Sequence, residues 1–134
     1  MNRYLEFHDS TLFSIEELNG VVKILLSPAM IHISEGVSGV DDGAVWLQDV
    51  EIVVQEGSFR ETDLALPVRI SDGCIKLGDT FFENVMEIPF SGQGDVELQL
   101  VFPGTSITNV TVKGKGATIN ALGDPQYLED FPGS

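Results

Sequence analysis

The chain is punctuated from end to end. Short runs of alternating apolar and polar residues are separated by Gly, Pro and Asx-Gly pairs, and no long stretch carries a helical period. A chain cut this often cannot supply long amphipathic helices. It can supply strands, because a side-chain period of two buries one face of each short run. The expected fold is all-β: a single antiparallel β-sandwich or partly open barrel of about nine or ten strands, with little helix. The length of 134 residues suits one domain spanning the whole chain.

Particular segments carry this reading. Val96, Leu98, Leu100 and Phe102 alternate with Glu97 and Gln99 and predict a strand with one buried face. Leu12–Leu18 fits either a helical or a strand face. Asn19-Gly20 decides for a hairpin, because Asn-Gly tolerates the positive φ of a type I′ turn. Asp72-Gly73 predicts a second hairpin turn after an edge strand from Leu64 to Ile70. Gly92–Gly94 and Lys113–Gly116 read as turns, Gly57–Asp63 as a loop, and the acidic tail from Gly123 as a docked segment with one helical turn. Along Ala44–Gln55 the apolar phase changes near Gln48-Asp49, which predicts a bulge.

Charge excludes several functions. Seven Lys and Arg stand against twenty-one Asp and Glu, a net charge of −14. Such a surface repels nucleic-acid backbones and anionic membranes and attracts basic proteins. The acids Asp41, Asp42, Asp49 and Glu51 are the expected contact group for a basic protein partner. Phe81 and Phe82 are adjacent, so alternation turns one of them away from the core and makes an aromatic contact available. The N-terminus has no apolar signal segment, so a bacterial cytoplasmic location is expected.

Catalytic and metal motifs are weak. His8-Asp9-Ser10 has the residue types of a nucleophilic triad, but sequence neighbours in a strand face apart. The acids around Asp41 lack the spacing of a calcium loop, and Lys113-Gly-Lys-Gly116 lacks the order of a phosphate loop. The lone Cys74 excludes an intramolecular disulfide and reads as a structural thiol. His32, between Ile31 and Ile33, reads as a histidine at the core rim. No cofactor is expected.

The string Leu5-Glu-Phe-His-Asp-Ser-Thr-Leu12 resembles the start of a small uncharacterised bacterial family with an HDS-x-L motif. The Ala29-x-Ile-His segment, Trp46 and Tyr127-Leu-Glu-Asp-Phe131 are similar to its pattern as well. Some members of that family look like immunity proteins encoded near secreted toxins. The resemblance implies an all-β domain and carries over no catalytic residue. The expected function is therefore a non-catalytic acidic domain that binds a basic protein, in an immunity-like role. The alternative is a small-ligand or carbohydrate-binding β-sandwich assisted by Ca²⁺.

Overall fold

A computed structural model describes residues 2–34, 43–60, 64–103 and 109–131. Eleven strands form one antiparallel sheet: β1 (Asn2–Glu6), β2 (Thr11–Leu18), β3 (Val21–Ser34), β4 (Gly43–Gln55), β5 (Ser58–Phe59), β6 (Val68–Arg69), β7 (Asp72–Leu77), β8 (Thr80–Glu83), β9 (Val85–Glu87), β10 (Phe90–Val101) and β11 (Asn109–Phe131). Their spatial order is β6-β2-β3-β4-β11-β10-β7-β8, with β1 joining β3 to β9 and β5 lying against β11. The sheet curls into a half-barrel. Of the two arrangements expected, this is the partly open barrel, with eleven strands rather than nine or ten. Among the described residues no helix is long and apolar enough to cross a membrane.

The buried apolar side chains form one core cluster. Three apolar rows cross the central strands: Val22–Val54–Ala117, Ile24–Ile52–Ile119 and Leu26–Val50–Ala121, all buried except the half-buried Ala121. A fourth row, Phe82–Ile75–Leu98–Val112–Phe59, crosses β8, β7, β10, β11 and β5. The expected face of β10 is present. Val96, Leu98, Leu100 and Phe102 are buried, Glu97 is exposed and Gln99 is half-buried. The Asn19-Gly20 hairpin joins β2 to β3, and both turn residues have positive φ.

Several turns move. Asp72-Gly73 is not a hairpin: both residues lie in β7, which pairs with β10 and β8, while β6 pairs with β2. Gly73 is needed there because a Cβ would stand 2.7 Å from the Phe7 ring. Gly92–Gly94 lies within β10, at an irregularity between Gln93 and Val96. Lys113–Gly116 lies within β11, where a Cβ on Gly114 would meet Val54 Cγ1 at 2.4 Å. Gly73, Gly92, Gly114 and Gly116 mark close approach of neighbouring atoms inside strands, the other meaning of a strand glycine, whereas Gly94 has open space and a positive φ of 122° at the irregularity. Ser58–Phe59, expected in a loop, pairs with β11. The tail continues as strand to Phe131, with Tyr127 opposite Trp46, so its described residues form no helical turn.

The irregularity near Gln48-Asp49 is real, but its extra residues lie on the neighbouring strands. On one side, Ser27 and the cis-linked Pro28 fall between the pairs Leu26–Val50 and Ala29–Gln48. On the other, β11 slips between Leu122–Asp49 and Gln126–Leu47. Both flanks of β4 therefore open at one level.

Replacing Leu98 with Ala should cost about 2–5 kcal/mol of stability, whereas Glu97→Gln should change it by less than about 0.5 kcal/mol. Gly73→Ala should destabilise by about 1–3 kcal/mol through overpacking against Phe7. Denaturant titrations check all three. A neutral Gly73→Ala would contradict the placement of Gly73 inside β7.

Candidate functional site

The double opening beside Gln48-Asp49 forms a depression of about 290 Å³, lined by Pro28, Leu47, Gln48, Asp49, Leu122, Gly123, Asp124 and Gln126. Its composition is one-sided. Asp49 and Asp124 supply carboxylates, Pro28, Leu47 and Leu122 supply apolar wall, and none of the lining residues is basic. Both aspartates are exposed, and Ser27 Oγ donates to Asp49 Oδ1 at 2.7 Å. Gln48 is only 6 % exposed. Its Nε2 donates to the Gly123 carbonyl at 2.8 Å, while its Oε1 is shielded and has no hydrogen-bond partner among the described residues. Glu51 lies two residues along β4 from Asp49 and is half-buried.

The expected contact residues are not all together. Asp49 and Glu51 share the outward side of β4. Asp41 and Asp42 lie outside the described residues. Phe81 and Phe82 split as alternation requires. Phe81 is 56 % exposed, and Phe82 packs against the core and meets Phe90 edge-to-face at 5.7 Å. Both belong to β8, at the end of the sheet and four strands from β4, so they are separate from the Asp49 depression. The residues that sequence reasoning missed are Gln48 and Asp124. The phase change on β4 pointed to Gln48; nothing local pointed to Asp124, because the slip of β11 brings it there.

A second depression, of about 560 Å³, lies over β5, β7, β10 and β11. Phe81, Lys76, Glu97, Lys113 and Ser58 succeed one another in a cross-strand row. Lys115 pairs with Asp95 nearby. Lysines 76, 113 and 115 thus gather here, interleaved with Glu56, Asp79, Asp95 and Glu97. The alternation of charge makes this a self-neutralised surface and leaves the lysines no excess for an anion.

The His8-Asp9-Ser10 corner is structural. Ser10 is fully buried; its Oγ donates to the Glu6 carbonyl at 2.6 Å and accepts from Met30 N–H at 2.9 Å. A hydroxyl held between two backbone groups has no base beside it. His8 Nδ1 faces the Ser71 carbonyl at 2.6 Å, and this contact raises the imidazole pKa. Asp9 turns the chain at φ 70° and lies 3.5 Å from Arg69 Nε. The corner pins β1 to β3 and to the start of β7. His32, at the expected rim position, meets Glu6 Oε2 at 2.5 Å. That hydrogen bond holds the Glu6 carboxyl below its usual range, against the opposing effect of burial. The thiol of Cys74 is pushed up by burial and then by Asp72, Glu83 and Glu97, so it stays protonated and poorly nucleophilic.

Glu6 yields a pH test with a definite sign. A carboxyl whose folded pKa is depressed stabilises the fold fully above the unfolded value, near 4.5, and loses that contribution as pH falls through the folded value. Glu6→Gln should therefore cost about 1–2 kcal/mol near neutral pH, and the difference from the parent chain should shrink in acid. Unfolding free energies measured across this range check it. A difference that grows in acid would contradict the pairing.

No protein-family model, no curated protein and no solved structure matches this chain, so the site stands on its own geometry.

Proposed function

We propose that the chain is a non-catalytic binding domain that docks a basic protein on the outward surface around Asp49. One observation carries this reading: the depression beside β4 joins two exposed carboxylates to apolar walls and includes no basic side chain among its lining residues. That combination suits a lysine or arginine of a partner. The aliphatic stem lies on Pro28, Leu47 and Leu122, and the charged head meets Asp49 and Asp124. The net charge of −14 draws a basic partner in from a distance. Exposed Leu122, Tyr127 and Leu128 along the last part of β11 add apolar area near this opening. An immunity-like role, in which the acidic surface covers the basic site of a toxin, is the concrete form of this reading.

The catalytic alternative lacks its parts. Ser10 is committed to backbone, and the Cys74 thiol is held protonated. The carbohydrate alternative calls for a ring against which a sugar can stack, and no aromatic side chain is among the lining residues of the acidic depression.

Affinity capture from the native cell, followed by association kinetics with the recovered protein, tests the proposal. The rate should fall steeply as salt rises, and Asp49→Asn combined with Asp124→Asn should slow it several-fold while leaving the melting temperature in place. Salt-insensitive association, or submicromolar binding to nucleic acid at physiological salt, would overturn it.

A further inference from the structure

We infer that the outer edge of β2 is a docking site for an extended basic segment of another protein, which adds to the sheet there as an antiparallel strand. This edge is separate from the depression beside Asp49, and the inference stands without that reading.

The starting point is an incomplete ladder. β2 pairs with β3 from Leu12 to Leu18, but with β6 only at Thr11 and Leu12. The next residue on the β6 side, Pro67, has no N–H to carry the pairing on. From Ser14 to Leu18 the outward side of β2 therefore has no strand beside it among the described residues, and no other backbone hydrogen bond among them reaches it. Alternate residues of an antiparallel strand turn both N–H and C=O to the same side, so this edge offers ready pairs of donors and acceptors.

Elsewhere the margins of the sheet are blunted. The last part of β11, past its pairing with β10, is interrupted by Pro125 and by two register slips, and β8 is only four residues long. Prolines, irregularities and short strands are the usual protections of an edge. The open part of β2 has no Pro, Gly or Lys. It ends on Leu18, at 73 % the most exposed large apolar side chain among the described residues, and it begins beside Phe13, the exposed extra residue at the slip between Leu12 and Ser14. Ile15 is half-buried at the end of the row Ile15–Ile24–Ile52–Ile119, which an added apolar side chain would lengthen.

Charge selects the occupant. The open stretch carries Glu16 and Glu17 and no base. Glu17 shares the face of Ile15, next to the buried Val22, and Glu16 lies on the other face beside Lys23. A second copy pairing here would crowd the glutamates of two β2 strands together in a chain that already carries −14. A basic strand meets them instead. Facing Leu18, Glu17, Glu16 and Ile15 in turn, its side chains would read apolar, basic, basic, apolar. The base facing Glu16 would set that glutamate between two cations, as Glu97 already sits between Lys76 and Lys113. Main-chain bonds then supply affinity and the alternating side chains supply choice.

A synthetic peptide built on Val-Lys-Arg-Val between flanking threonines tests the inference, titrated into the full chain and followed by amide NMR and hydrogen exchange. Shifts should concentrate on β2, and exchange should slow at alternate amides between Ser14 and Leu18. N-methylating the peptide amides that face β2 should weaken binding at least tenfold with the charge unchanged, whereas methylating the alternate amides should not. Glu16→Lys combined with Glu17→Lys should also weaken it at least tenfold at an unchanged melting temperature, and a Val-Glu-Glu-Val peptide should bind this variant better than the parent. Asp49→Asn combined with Asp124→Asn should leave peptide binding within twofold, which separates failure here from failure at the Asp49 depression. Four results would each overturn the inference: no binding at millimolar peptide; binding indifferent to both methylation patterns, which means diffuse attraction to an acidic surface; shifts that spare β2; or a dimer formed through β2 without peptide in sedimentation, which gives the edge to a second copy.

Discussion

The register of β4 between β3 and β11 is the constraint on which the rest of the molecule depends. Three apolar rows, Val22–Val54–Ala117, Ile24–Ile52–Ile119 and Leu26–Val50–Ala121, cross all three strands without a slip. A slip of one residue in any of these strands would turn its buried set to solvent, so the packing of these rows locks the pairing. Immediately beyond the last row both neighbours of β4 acquire extra residues. The sheet then resumes on the far side with Ala29 opposite Gln48 and Gln126 opposite Leu47. The depression is thus placed by the core: it opens where the locked rows end, and the second set of pairs closes it again.

That arrangement explains which parts of the structure were legible in the sequence. Regular alternation marked β10 correctly, because its apolar face packs against one continuous interior. Asn19-Gly20 marked a hairpin correctly, since a two-residue turn between adjacent strands is decided locally. Asp72-Gly73 looks the same in sequence, yet Gly73 is fixed by the Phe7 ring approaching from β1's end, a contact some sixty-six positions away along the chain. Gly114 and Gly116 misled in the same manner: Val54 and Gln55 lie over them, and a turn reading had no access to that. The phase change at Gln48-Asp49 was visible, but sequence could not say that the extra residues sat on β3 and β11. Asp49 could be picked out from its own strand, whereas the approach of Asp124 to the same depression depends on the pairing of the tail, and Glu51, singled out with Asp49, is not among the lining residues.

Charge is also arranged by the sheet. Lys76 and Lys113 flank Glu97 in one row across β7, β10 and β11, and Lys115 pairs with Asp95 at the adjoining irregularity of β10. Opposite charges on directly facing positions stabilise a sheet by about 0.2–1 kcal/mol each. Basic residues are scarce in this chain, and placing several of them here neutralises this part of the surface. The excess of acid is left to other regions, including the end of β4 and β11. A protein of uniform negative charge would attract a basic partner without orienting it; a surface with one neutralised region and one acid-lined opening gives the approach a direction.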